Sequence, residues 1–281
     1  TIASNQVNAI RYLSPTRVLT VGTTAGEYVV TATSDGPVTP TTTLIRKYSN
    51  YGSAAVEPVQ VADVTLFAQR GGRKVREFKF AGDVNSSGYL APDMTILAEH
   101  LTDGGITQFA YQQEPESIIW ALRSDGTLLG MTYRREEDVV GWHKHVIGGV
   151  FGSGQAVVES IAPLPTDTGN DDLYMIVKRT INSVTKRYVE VLKVFDFGSV
   201  TTSAFFVDGG LAYSGSATTS LSGLYHLEGQ SVTVLANGAT HPDETVSGGG
   251  ITLDYSSTTA AAGLGFTSET QTMRSERGSE D

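Results

Sequence analysis

The sequence predicts an all-β protein: a propeller-like array of β-hairpin, blade-type repeats holding one short helix, then a small antiparallel β-sandwich. Three observations carry this expectation. Apolar, β-prone runs are separated by short turns rich in glycine or Asp-Gly. The turn glycines Gly22, Gly71 and Gly126 return at intervals of roughly fifty residues, a period that marks propeller blades and similar arrays. After Phe195 the composition shifts towards Ser, Thr, Gly and Ala.

Four hairpin units follow in order. In 17–30, Val18-Leu19-Thr20-Val21 and Glu27-Tyr28-Val29-Val30 flank a turn containing Gly22 and Gly26. In the second, Val64-Thr65-Leu66-Phe67-Ala68 turns through Arg70-Gly71-Gly72-Arg73 into 75–80, where Phe78 and Phe80 alternate with Glu77 and Lys79, giving one buried face and one wet face. In the third, Ile118-Ile119-Trp120-Ala121-Leu122 and 128–133 meet across Ser124-Asp125-Gly126. In the fourth, Leu173-Tyr174-Met175-Ile176-Val177 pairs with 188–195 through a polar turn around Asn182.

Between the second and third units, Met94, Leu97, Ala98 and Leu101 fall at i, i+3, i+4 and i+7. That spacing, with Pro92 before it and Gly104-Gly105 after it, predicts a short helix over 91–101. The expected domains are 1–197 for the array, of about four blade-type units, and 198–281 for the sandwich with a polar tail. Within the sandwich, 223–229 and 231–235 read as paired strands, followed by a turn at Asn237-Gly238.

Composition narrows the function classes. The formal charge of -10, from 30 Asp and Glu against 20 Lys and Arg, argues against a dedicated DNA binder, since phosphate neutralisation needs clustered cations. An acidic wall is compatible with passage of DNA. Zero cysteines exclude disulfides and thiolate metal sites and suit assembly in a reducing cytoplasm. No apolar run reaches bilayer length, so no membrane span is expected. The first residues lack an initiator Met and signal-peptide features, which reads as an internal piece of something longer.

Polar constellations have weak chemical readings. His143 and His145 share a strand face, but no third ligand lies nearby in sequence; a strand end with Trp142 on the core and its polar neighbours in water is favoured. Asp167, Asn170, Asp171 and Asp172 lack a calcium-loop spacing and read as a turn. Gly152-Ser153-Gly154 lacks the G-x-S-x-G frame, and no Gly-Lys-Ser/Thr occurs. No enzyme activity, metal or cofactor is expected. Arg70, Arg73, Lys74 and Arg76 form a basic glycine turn whose backbone N–H groups and cations suit an anion. It is expected to meet a neighbouring subunit's carboxylates or, secondarily, passing DNA.

Several blocks then carry a resemblance: 5–13, 20–27, Leu66-Phe67-Ala68-Gln69-Arg70-Gly71-Gly72-Arg73-Lys74-Val75-Arg76-Glu77-Phe78, 91–100, Gln112-Gln113-Glu114-Pro115, 123–130, Val140-Gly141-Trp142-His143-Lys144-His145 and 223–230. Together they resemble the tail nozzle, tubular or stabilisation-type structural proteins of short-tailed bacteriophages. The resemblance implies a virion component assembled in the host cytoplasm and acting as a ring-shaped conduit for genome ejection. Its implied partners are further copies of itself, typically in hexamers, adaptor and fibre proteins of the tail, and DNA in transit. The alternative is a glycan- or receptor-binding β module, for which Tyr213, Tyr225 and Tyr255 are available.

Overall fold

The computed structural model describes residues 8–33, 36–83, 86–193 and 198–270. Residues 5–7 of the first resembling block, Phe195 and the tail from 271 lie outside the described residues. Among the described residues the chain is all-β, with two single-turn 3-10 segments and no α-helix. No helix is long and apolar enough to cross a membrane. Contact clustering gives two compact units: described residues of 1–145, 156–180 and 185–194 in the first, and of 146–155, 181–184 and 195–281 in the second.

The first unit contains four antiparallel sheets built in chain order. Sheet 1 is β1 (Ile10–Pro15), β2 (Leu19–Thr23), β3 (Gly26–Ala32) and β4 (Thr43–Ser49). Sheet 2 is β5 (Val59–Val61), β6 (Val64–Ala68), β7 (Val75–Asp83) and β8 (Ser86–Leu90). Sheet 3 is β9 (Ile106–Gln112), β10 (Ile118–Arg123), β11 (Leu128–Arg134) and β12 (Val139–His145). After the two-residue strands β13 (Val150–Phe151) and β14 (Gly154–Gln155), sheet 4 follows as β15 (Val157–Pro165), β16 (Asp171–Ile181) and β17 (Val184–Val191). The expected hairpins are the inner pairs β2–β3, β6–β7 and β10–β11, and the β16–β17 pair.

Turn chemistry explains these pairings. Asn182 and Ser183 both take positive φ, 47° and 62°, the two-residue turn whose twist matches an antiparallel ribbon. At Ser124-Asp125-Gly126 the Asp125 carboxylate accepts from the Thr127 N–H at 3.0 Å and is gripped by Arg123, while Gly126 takes φ 84°. The Arg123 hydrogen bond, outweighing burial, holds the Asp125 carboxyl below the usual range.

Sheet 2 is packed on both faces. Leu66, Ala68 and Val75 join Ile119, Ala121, Leu129 and Met131 of sheet 3 in one core. Phe67 and Phe78, pointing the other way, join Tyr12 and Val29 of sheet 1 in a second. Every residue of β6 is buried, and burying a Leu or Phe completely contributes about 1.5–3 kcal/mol each. Sheets 3 and 4 are joined by a side chain that imitates a strand. The Gln108 amide donates to the Ile161 carbonyl at 2.8 Å and accepts from the Ile161 N–H at 3.2 Å.

Among the described residues sheet 1 leaves part of its other face exposed, although Val21 and Tyr28 on that face are buried. Tyr12 and Val29 point to sheet 2, so by strand alternation Leu13, Val21 and Tyr28, and beside them Leu19, Val30 and Ile45, line the opposite face. Leu13 is 58% exposed, and Leu19 and Ile45 are also exposed.

In the second unit, β18 (Asp208–Ser222), β19 (Ser231–Ala236), β20 (Ala239–Thr245) and β21 (Gly250–Leu264) form one sheet in the order β18-β21-β19-β20. The expected sandwich is therefore a single hydrogen-bonded sheet. Its two 15-residue strands, β18 and β21, pair with several register shifts, and bulges of this kind bend a sheet. The sheet coils until His241 of β20 reaches the Asp254 backbone of β21. The expected turn at Asn237-Gly238 forms, with φ of 51° and 76°.

Two expected elements take other forms. The segment 91–101 is a chain of tight turns rather than a helix, with Ala98 N–H bonded to Thr95 O and Leu101 N–H to Ala98 O, both three residues back. Met94 N–H is spent on Val75 O of β7, and Asp93 Oδ1 accepts from both the N–H and the hydroxyl of Thr95. The chain is thus tied to the sheet edge where a first helical turn would start. Met94, Ala98 and Leu101 face inward, but Leu97 is 91% exposed. Likewise 223–229 is not a strand: Leu224 and Leu227, both buried, bracket a 3-10 turn at Tyr225–Leu227.

Candidate functional site

The basic turn brings Arg70, Arg73, Lys74 and Arg76 onto one hairpin end, as spacing predicts, but most of that charge is answered within the chain. Lys74 Nζ lies 3.0 Å from Asp93 Oδ2 and 2.6 Å from Glu99 Oε1. Arg73 pairs with exposed Asp103 at 3.2 Å. Arg76 is buried: its guanidinium lies 3.4 Å from the centroid of the Tyr51 ring and donates to Gln69 Oε1 and the Ala91 carbonyl. Arg70 alone of the four has no side-chain partner among the described residues. Glu99 and His100, read as part of a helix, instead sit on the turn that supplies the countercharge.

Arg76 also faces a buried carboxylate. Glu27 is fully buried and accepts from the Ser49 and Ser53 hydroxyls. Burial pushes its pKa up, and the two serines and Arg76 pull against that shift. Tyr12, desolvated and close to Glu27, has its phenol pushed above the normal range. With Arg76 on β7 and Glu27 on β3, the group serves as a polar link between sheets 1 and 2.

The His143–His145 pair departs from the expected water-facing strand end. Trp142 does pack on the core, with its indole N–H on the Met94 carbonyl at 2.8 Å. His143 and His145, with ring centroids 5.0 Å apart, pack instead against the fully buried Trp120, at 5.9 and 5.2 Å. Gly130 is required beneath them, since a Cβ there would collide with the His143 ring. Burial lowers both pKa values, that of His145 to about 4 with help from His143. The arrangement is a neutral aromatic stack, and His145 Nε2 is buried without a partner.

Among the described residues one group of three has metal-ligand spacing: His241, Glu244 and Asp254. Its imidazole is already engaged on both sides. Nε2 accepts from the Asp254 N–H at 2.9 Å, and Nδ1 lies 2.8 Å from the Pro242 carbonyl, which assigns the proton to Nδ1. A metal would have to displace the Asp254 hydrogen bond, so His241 acts as a clasp for the coiled sheet. The Asp171 carboxylate, in the expected turn, accepts from the Gln113 and Glu114 N–H groups at 2.7 and 3.2 Å, tying sheet 4 to the sheet 3 loop.

Two depressions are present in the first unit. One, of about 270 Å³, lies among Met94, Leu97, Leu101, Val140 and Trp142. The other, of about 360 Å³, lies among Val61, Pro115, Tyr133, Arg134 and Arg135. Beside the second, Arg135 pairs with Asp63 and sits 3.8 Å from buried Glu77, whose other cation is Lys79 at 3.2 Å. Burial, with Glu77 next in effect, raises the Tyr133 phenol. Of the tyrosines read as sugar platforms, Tyr213 donates to Ser216 O and Tyr255 packs on His241, whereas Tyr225 is 73% exposed. Compared with known proteins, the chain matches no family model and no curated protein.

Proposed function

We propose that this chain is a structural subunit of a short-tailed phage tail, at the nozzle or tube, that acts by packing in a ring around the path of the ejected genome. The observation that carries the reading is the stack. Consecutive four-stranded meanders begin at Ile10, Val59 and Ile106, with a three-stranded one at Val157, a spacing of about fifty residues that matches blade repeats. The second sheet is buried on both faces, as a blade is between its neighbours. Leu13, Leu19 and Ile45 of sheet 1 are apolar and exposed, and a head-to-tail contact that covers them generates rings when the rotation closes.

On this reading the partners are copies of the chain, adaptor and fibre proteins, and DNA only in transit. The net charge of -10 favours a wall that does not retain DNA. The test is solution mass and negative-stain imaging of the full-length protein, alone and mixed with the adjoining tail proteins. Rings with a central channel in either sample are expected, and Leu13→Asp with Ile45→Asp should reduce their yield. A persistent monomer in both samples defeats the proposal.

A further inference from the structure

From residue 198 to residue 270 the chain contains Asp208, Glu228, Asp243, Glu244, Asp254 and Glu269 but no Lys or Arg. Two further segments of the second unit, 146–155 and 181–184, carry no charged residue. All Lys and Arg of the chain except Arg274 and Arg277 precede residue 194. The β18–β21 sheet is therefore anionic with no side-chain cation of its own. Elsewhere the same chain pairs its carboxylates, as at Lys74 with Asp93 and Glu99, and at Glu159 with Lys178 and Arg187.

One aromatic on this anionic unit is both exposed and held in place. Tyr225 sits on the 3-10 turn, and its ring covers Gly249 so closely that a Cβ there would collide with ring carbons. The glycine loop beneath is fixed from below, because the Glu228 carboxylate accepts the Gly248 and Gly249 N–H groups at 3.0 and 2.8 Å. Leu224 N–H bonds the Gly249 carbonyl at 2.9 Å, closing the same loop. Exposed Leu211 approaches Gly223, at the start of the turn. The ring thus lies on a loop that is already fixed, and at 73% exposure it offers its outer face to a partner without rearrangement of the backbone beneath it.

We propose that this face, centred on Tyr225 with Leu211 and Glu228, docks an arginine-bearing segment of a partner protein. A guanidinium laid on the Tyr225 ring gains a cation–π contact, its methylene stem has Leu211 to cover, and its charge meets Glu228 and a stretch, 198–270, that holds six carboxylates and no Lys or Arg. The inference stands apart from the ring proposal, because it concerns a different unit and a different contact.

The test uses the full chain and a fluorescein-labelled nona-arginine peptide, with nona-lysine and nona-glutamate peptides as comparisons, read by fluorescence anisotropy at physiological salt. Wild type and Tyr225→Phe are expected to bind nona-arginine more tightly than nona-lysine, with no binding of nona-glutamate. Tyr225→Ala, an exposed substitution whose fold is checked by circular dichroism, is expected to weaken nona-arginine binding by roughly fivefold or more. Equal binding by wild type and Tyr225→Ala would reduce the attraction to diffuse charge and overturn the proposal. Tyr225-dependent binding of a neutral oligosaccharide, or Tyr225-dependent self-association by sedimentation, would also overturn it, in favour of a sugar or a second copy.

Discussion

The sheet stack and the C-terminal sheet bury apolar strands by different means. In the stack, short meanders pack face to face, and charge is neutralised locally. Glu159 bridges to Lys178 and Arg187 across the three strands of sheet 4, and those two hydrogen bonds hold its pKa at about 2. Buried Arg179 meets Glu190 through both guanidinium nitrogens. In the C-terminal unit one long sheet bends over itself, is clasped by His241, and has no cation between 198 and 270. The difference separates two uses of a carboxylate. In the stack it meets a side-chain cation, and in the C-terminal unit it is held by backbone N–H groups, as at Glu228, with its charge unanswered by any Lys or Arg between 198 and 270.

Core deletions should probe the stack hardest. Trp120→Ala removes a fully buried indole wedged against two imidazoles, together with its hydrogen bond to Gln112, and should cost about 3–5 kcal/mol. Leu227→Ala, at the buried position of the 3-10 turn in the C-terminal unit, should cost about 2–4 kcal/mol by the same cavity argument. Urea titration followed by tryptophan fluorescence for the second variant, and by circular dichroism for both, measures each. If Trp120→Ala proved the milder of the two, the aromatic stack would not be the tighter core.

Acid should act on the same stack. The folded pKa of His145 is depressed to about 4, below the unfolded value near 6.5, and that of His143 is also depressed. The unfolded chain therefore binds more protons between those limits. Stability is complete above about pH 6.5 and falls as pH drops towards 4, by on the order of 2 kcal/mol. Melting temperatures from pH 7.5 to 4.5 should decline more in wild type than in a His145→Gln variant; parallel curves would remove His145 as the cause.

The two braced glycines give a closer comparison. Gly130→Ala sets a methyl against half-buried His143, wedged on Trp120, and should cost about 2 kcal/mol. Gly249→Ala meets exposed Tyr225, which can swing outward, so the remaining cost is the φ of 75°, about 1 kcal/mol. Equal losses in thermal denaturation would mean that Tyr225 is as confined as His143. The smallest effect is expected at Lys74→Ala, whose partner Glu99 is half exposed and whose mostly buried partner Asp93 keeps its two hydrogen bonds from Thr95. Its melting temperature should stay within about 2 °C of wild type.

Much of the stack was legible because its inner strands are buried and apolar. Val64-Thr65-Leu66-Phe67-Ala68 matches β6 residue for residue. The flanking strands were missed because edge positions are solvated and carry no strong pattern. β4, Thr-Leu-Ile-Arg-Lys-Tyr-Ser, and β12 are mostly exposed or half-exposed and depend on a neighbour's backbone rather than on their own alternation. At the basic turn the four cations were visible in order, but their counterions were not, since Asp93, Glu99 and Asp103 lie in a segment whose spacing imitated a helix. Tyr225 was on view as one tyrosine among three, with nothing local to mark it as exposed.

Sequence alone determined the β class, the turns at Asp125-Gly126 and Asn237-Gly238, and the absence of disulfide chemistry. Each follows from local sterics or composition, which a short stretch of chain carries within itself. Only tertiary structure decided that 91–101 would be a run of turns, that His143 and His145 would lie on Trp120, and that the last four strands would share one coiled sheet. Those outcomes depend on partners tens of residues away, such as Val75 for Met94 and Gly130 for His143, and contacts at that separation leave no periodic trace in the local sequence.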